Sequence, residues 1–181
     1  MPYTPMSDLG QQGLFDITRT LLQQPDLGAL SDALTRLVRQ SALADSAAIV
    51  LWHSATHRAS YFSTRDNGKI FEYEDETFLA HGPVRRILSR PEALHCNFDQ
   101  FRLAWPKLAE SNLYHPFGHY SMLPLAVEGQ IFGGCEFIRD TDQPWSEAEY
   151  ERLHTFTQIV AVVAEQIQSR VTNNVDYDLL S

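Results

Sequence analysis

Cysteine and long apolar runs are both scarce in this sequence. The 181 residues contain two cysteines, Cys96 and Cys135, in no CxxC spacing. This argues against a disulfide scaffold and is typical of a reducing compartment. No apolar run approaches the ~18 residues of a membrane-spanning helix, and no charged-then-apolar signal pattern opens the chain. We therefore expect a cytoplasmic protein without membrane contact.

Positive charge is also scarce. Lys and Arg number 14 against 23 Asp and Glu, which gives a net charge of -9. So acidic a surface repels phosphate backbones and disfavours direct nucleic-acid binding. There is no GxxxxGK[ST] motif to cradle a nucleoside triphosphate, and no basic recognition helix is visible. The sequence therefore predicts neither an ATPase nor a DNA-binding domain in this chain.

The apolar residues that are present, within a 44% hydrophobic composition, suffice for one domain core. Asp26 is predicted to cap the second of two N-terminal helices. Ser146 and Glu149 form a capping-box pattern before a long final helix. Its apolar positions step by three or four and are the candidates for a dimer and relay helix: Leu153, Phe156, Val160, Val163 and Ile167. Packing on a sheet and parallel dimerisation both fit, and we favour both together.

Strand patterns occupy the middle of the chain. Runs at 47–52, 58–64 and 69–73 precede an irregular stretch, 74–118, in which short helices and a strand at 93–96 are predicted. A hairpin follows at 119–127 and 131–138, where Pro124 indicates an edge or bulge. The predicted fold class is α+β, an antiparallel sheet with N- and C-terminal helices on one face and a helical excursion on the other. We expect an irregular lead-in at 1–8, one domain at 9–171 and a linker beginning at 172–181.

The hairpin sequence at 119–134, with Trp145-Ser146 before the last helix, resembles the GAF domain family. The stretches 6–17, 79–88, 132–138 and 173–178 resemble, more specifically, the N-terminal sensor region of formate-responsive sigma-54-dependent activators. That resemblance implies a non-enzymatic sensor domain without a cofactor of its own. It also implies formate as effector of the full-length protein, a downstream AAA+ ATPase and a helix-turn-helix DNA-binding domain in the same polypeptide, and a homo-oligomer formed through the terminal helices.

Formate is a small anion with little apolar surface, so its recognition requires positive charge and directed donors. Arg85 and Arg86 lie in the first turn of a helix predicted to begin at Pro83, where cations are unfavourable unless an anion offsets them. Pairing with the acidic residues at 72–76 is the commoner alternative. The anion-binding candidates are Arg85, Arg86, His81, His95 and His119.

Other interpretations of the same residues stay open. His95, Cys96, His119 and Cys135 lie on strands of one predicted sheet and could converge in a metal or redox site, although their spacing matches no ligand template. Trp52, Tyr61 and Tyr120 are more typical of core residues than of a purine-stacking site. A structural or dimerisation module without a ligand is a further alternative. A methionine sulfoxide reductase, as in some GAF-fold proteins, requires a cysteine pair that is not evident here.

Overall fold

A computed structural model of the protein describes residues 11–64, 70–74, 82–111 and 113–178, with side chains described at 13–64, 82–111 and 113–170. The predicted lead-in at 1–8 lies outside these residues. The helices are α1 Gln11–Leu22, α2 Leu27–Gln40, α3 Pro83–Ser89, α4 Phe98–Ala104, α5 Pro106–Ala109 and α6 Glu147–Asp178. The strands are β1 Ser46–His53, β2 Arg58–Thr64, β3 Ile70–Glu74, β4 Leu94–Asn97, β5 His119–Val127 and β6 Gln130–Arg139.

The helix boundaries are explained by local chemistry. The Asp26 carboxylate accepts a hydrogen bond from the Ala29 N–H, which caps α2 as predicted. The Ser146 N–H and hydroxyl donate to the Glu149 carboxylate, which confirms the capping box before α6. Pro106 separates α4 from α5, because proline cannot continue a helix that precedes it. Helix α6 continues to Asp178, so much of the segment expected to be a linker is helical.

Within the described ranges, the strands form one antiparallel sheet in the order β3-β2-β1-β6-β5-β4. Strand β1 lies in the middle and pairs Ile49 with Cys135 of β6. Strand β4 pairs with β5 from Leu94 opposite Met122 to Asn97 opposite His119. Beyond Met122, therefore, β4 no longer covers β5. Pro124 lies in that half of β5, near a register shift between Leu125 and Ala126, which agrees with the predicted edge or bulge.

Alternate residues of the central strands supply two cores on opposite faces of the sheet. In the first core, Ile49, Cys135 and Phe137 pack against helices α1, α2 and α6. In the second core, Val50, Tyr120 and Met122 pack against α3, α4, α5 and the segment before β5. The terminal helices thus cover one face and the helical excursion covers the other. The predicted α+β class is confirmed.

Two glycines allow close approach within this sheet. A Cβ on Gly133 would lie 2.2 Å from the Val50 carbonyl oxygen. A Cβ on Gly134 would lie 2.8 Å from Ile87 Cδ1, so α3 packs directly on the β6 backbone. The glycine pair therefore sets how closely β1 and α3 approach β6.

Candidate functional site

The two arginines predicted to bind an anion are exposed on α3. The helix is anchored to the second core by Val84 and Ile87, which are buried. Arg85 extends toward β1, where its guanidinium carbon lies 5.2 Å from the centre of the Trp52 ring. Arg86 acts electrostatically on Cys96 of β4. The adjacent arginines thus have different surroundings, as expected for neighbours on a helix.

Two of the candidate histidines, His95 and His119, lie on the other face of the sheet. His95 Nδ1 is 3.1 Å from the Ser121 hydroxyl, and its ring centre is 4.1 Å from that of Tyr150 on α6. Burial lowers the pKa of His95. His119 lies 3.4 Å from an Asp142 carboxylate oxygen. The sheet therefore separates both histidines from the arginines. His81 lies outside the described residues.

The cysteines do not form a pair. Both thiols are free. Cys135 is fully buried in the first core, whereas Cys96 is half-buried and packs against the second core. Burial raises the pKa of Cys96 to about 11, which disfavours the reactive thiolate. Among the described residues, no group of three or more His, Cys, Asp or Glu is placed to hold a metal ion.

The candidate dimer positions of the final helix are all inside the domain. Each is at most 4% exposed and belongs to the first core: Leu153, Phe156, Val160, Val163 and Ile167. The predicted packing of these side chains on the sheet is therefore observed. Their participation in a dimer stays a prediction. The aromatic residues Tyr61 and Tyr120 are buried in the second core, and Trp52 lies half-buried at its margin.

A polar cluster that the sequence analysis did not predict lies within the second core. Glu136 projects from β6 and is 1% exposed. Its Oε1 accepts a hydrogen bond of 2.7 Å from Tyr61, and its Oε2 accepts bonds of 2.6 Å from Tyr114 and 2.8 Å from Tyr120. The three tyrosines come from β2, β5 and the segment between α5 and β5. This Glu136–tyrosine cluster therefore joins three separate parts of the chain to β6.

Burial and hydrogen bonding have opposite effects on the pKa of Glu136. Burial raises the pKa of Glu136, and the three donated hydrogen bonds lower it in part. Burial beside the carboxylate also raises the pKa of Tyr114 and Tyr120. The phenol hydroxyls thus stay protonated and act as donors to the carboxylate. A sequence signal for this site was present, because Glu136 is a charged residue between the apolar Cys135 and Phe137 of a strand.

A cleft opens at the end of the sheet beside this cluster. Its volume is about 820 Å³, within the usual range of small-molecule sites. Tyr61 and Tyr114 contribute to its lining, so two of the three residues that donate to Glu136 border it. Five consecutive residues, 113–117, form one wall, and residues of β2 and of the segment preceding β1 contribute to the rest. We call this the sheet-end cleft.

The fold is shared with known GAF domains. The GAF domain from an Acinetobacter phosphoenolpyruvate-protein phosphotransferase superposes with a TM-score of 0.68 at 17% identity, covering 91% of this chain and 97% of that one. The GAF domain of the potassium sensor histidine kinase KdpD from Escherichia coli gives 0.52 at 14% identity, covering 91% and 99%. These similarities show the fold alone. The chain therefore has the GAF fold.

The sequence relatives are more specific. The chain is 75% identical over 180 residues to the formate hydrogenlyase transcriptional activator of Salmonella typhimurium strain LT2, and 68% identical to that of Escherichia coli K12. Each match covers 99% of this chain and 26% of the relative. No protein-family profile matches. The chain therefore has the GAF fold and spans about a quarter of the length of the formate hydrogenlyase transcriptional activators that it matches.

Proposed function

We propose that this chain is the sensory input domain of a sigma-54-dependent activator of formate hydrogenlyase genes. The observation that carries the proposal is the 75% identity along 99% of the chain to a formate hydrogenlyase transcriptional activator. In the full-length protein the domain would control a downstream AAA+ ATPase and a helix-turn-helix domain. Helix α6, which packs in the first core as far as Ile167 and whose backbone continues to Asp178, would connect the domain to those downstream domains.

Formate is the proposed effector of the full-length protein, and Arg85 and Arg86 are its proposed contacts in this domain, with His81. Both arginines are exposed, and a guanidinium matches a carboxylate bidentately. Helix α3 packs against both β5 and β6, so an ion bound there would act on the centre of the sheet. His95 and His119 would belong to a separate site, because they lie on the opposite face. The centre of the second core is unsuitable for formate, because its three tyrosine hydroxyls already donate hydrogen bonds to the Glu136 carboxylate.

Calorimetric titration of the chain with formate tests this proposal, with acetate and nitrate as matched anions. We expect selective, saturable formate binding that is lost in Arg85→Ala/Arg86→Ala. The control is Arg36→Ala/Arg102→Ala, which removes the same charge from exposed arginines of α2 and α4. Formate affinity unchanged in the α3 double variant would refute the site. Absence of binding to the wild-type chain would move formate sensing to another part of the full-length protein.

An assembly role is the second candidate, favoured by exposed apolar side chains on the terminal helices. Phe15 is 61% exposed and Leu22 is 45% exposed on α1, and Val162 is 46% exposed on α6. Helices α1 and α6 contact each other, so these residues belong to neighbouring elements. We propose that a homodimer uses these positions, in place of the buried positions of α6. Sedimentation velocity over a concentration series would test it.

A further inference from the structure

We propose that the sheet-end cleft binds a small organic ammonium ion, and that residues 113–117 form a strap which the ligand displaces from Glu136. This goes beyond formate sensing, because it concerns another site and a ligand of opposite charge. The proposal stands on the cleft, on the hydrogen bonds of the Glu136–tyrosine cluster and on the charges that line the cleft.

The strap is fixed to the sheet through Tyr114. Residues 113–117 lie between α5 and β5 and belong to no helix or strand. Tyr114 and Phe117 insert into the second core, where both contact the Phe101 ring at centroid distances of 4.9 and 5.3 Å. The hydroxyl of Tyr114 then donates a hydrogen bond of 2.6 Å to Glu136 Oε2. The same five residues line the cleft, so its occupancy and the position of the strap are mechanically linked.

The hydrogen bonds that Glu136 accepts determine which ligand can replace Tyr114. Glu136 Oε2 accepts from Tyr114 and Tyr120, and its Oε1 accepts from Tyr61. A group that replaces Tyr114 must therefore be a donor, and an anion in its place would meet a buried carboxylate. An ammonium group donates a charge-assisted hydrogen bond and is also attracted to the faces of the surrounding aromatic rings.

The remaining charges of the cleft favour a cation as well. The lining contains the arginines Arg39 and Arg139 against the acids Asp45, Asp140 and Glu149. The Arg139 guanidinium donates to the Leu43 carbonyl at 3.0 Å and to Glu149 at 2.7 Å, so the charges of Arg139 and Glu149 offset each other. Arg39 donates through Nε to the Asp45 carbonyl at the exposed rim. Behind the inner wall, which Tyr61 and Tyr114 form, lies the Glu136 carboxylate.

Titration with n-propylammonium chloride, with sodium propionate as the matched anion at equal ionic strength, tests the proposal on the chain as it stands. We expect saturable binding of propylammonium and none of propionate. Tyr114→Phe removes the competing hydroxyl and keeps the ring, so it should bind propylammonium about fivefold more tightly. Glu136→Gln should bind about tenfold more weakly. Tyr150→Phe, which removes a hydroxyl from a tyrosine outside the cleft lining, serves as the control and should match the wild type.

The Tyr114→Phe result distinguishes this mechanism from a merely structural hydrogen bond, which predicts no gain in affinity. Binding seen only in Tyr114→Phe would support the strap, because the hydroxyl then outcompetes the probe in the wild type. If Glu136→Gln does not fold, the propylammonium affinity of Tyr114→Phe alone tests the proposal. Weaker binding by Tyr114→Phe, equal binding of propionate, or no propylammonium binding by either the wild type or Tyr114→Phe would overturn the proposal.

Discussion

Tyr114 and Glu136 are joined by a 2.6 Å hydrogen bond across 22 positions of the sequence. Tyr114 lies in a segment without regular structure, and Glu136 lies in a strand inside the sheet. The bond therefore fixes an irregular part of the chain to the most ordered part. Both groups are buried, so neither can exchange its partner for water without opening the second core.

Loss of the Tyr114 hydroxyl should destabilise the domain. Tyr114→Phe keeps the ring contacts and removes one of three donors to a buried carboxylate. We expect a decrease of about 1.5–3 kcal/mol in the free energy of unfolding. Urea denaturation measures it, with Tyr150→Phe as a partly exposed tyrosine control. A change in Tyr114→Phe no larger than that of the control would contradict the hydrogen bond.

Glu136 should make stability depend on pH. Burial raises its pKa in the folded state above the ordinary value of 4.5, so the folded protein binds this proton more tightly than the unfolded chain. Stability relative to Glu136→Gln should therefore decrease as pH rises from about 4.5 and become constant above the folded pKa. Urea unfolding of both proteins across this range gives the difference, in which the other titrating groups cancel. A difference that grows in favour of the wild type as pH rises would show that the three hydroxyls outweigh burial.

Gly133 should tolerate no side chain. Gly133→Ala places a Cβ 2.2 Å from the Val50 carbonyl oxygen, and that backbone is held in the central strand. We expect a loss of about 3 kcal/mol or more in unfolding free energy. Gly129→Ala is the matched control: its Cβ meets nothing within 4 Å, and the cost comes from a φ of +80° alone, about 1–2 kcal/mol. Equal losses in both variants would mean that β1 and β6 can separate at Gly133.

The apolar stripe of α6 should act through the stability of the domain. Leu153 is fully buried, so Leu153→Ala should cost about 2–5 kcal/mol. Val162→Ala, on the exposed side, should change the unfolding free energy by no more than about 0.5 kcal/mol. Thermal and urea unfolding measure both. Comparable small effects would show that α6 is not packed on the sheet in solution.

Substitution of the exposed apolar residues on α1 and α6 should weaken the proposed homodimer. Phe15→Ser/Val162→Ser should weaken self-association about tenfold or more, since each change removes buried apolar area at an interface. Leu103→Ser on α4 is the control, because Leu103 is 84% exposed and lies at the opposite face. Sedimentation velocity compares the three proteins. A dimer that survives the double variant unchanged would place the interface elsewhere.

The elements of this fold were largely predictable because their signals are local. The pattern at 58–64 matches β2 at both ends, and Asp26 and Ser146 mark the starts of α2 and α6 through chemistry within four residues. The helix at the end of the chain extends further than predicted. Its polar residues after Thr172 resemble a linker in composition, yet they continue the helical backbone.

The Glu136–tyrosine cluster could not be predicted from such local signals. The sequence favours core positions for Tyr61 and Tyr120, but it does not say which strands become neighbours, nor that the Glu136 side chain is turned toward these tyrosines. Tyr114 belongs to no periodic pattern at all. Likewise, His95 and Arg85 are only ten positions apart in sequence, and which face each occupies depends on the β4–β5 register and on where α3 docks. These relationships arise from pairings between distant parts of the chain.

Pro124 affects the tendency of this domain to aggregate at high protein concentration. Among the described strands, none pairs with β5 on its β4 side beyond Met122, and an unpaired strand is a template on which another chain can add and propagate. Pro124 offers no N–H to an incoming strand, and the irregularity beside it disturbs the spacing that a ladder requires. The uncovered half of β5 is thereby protected from edge-to-edge aggregation.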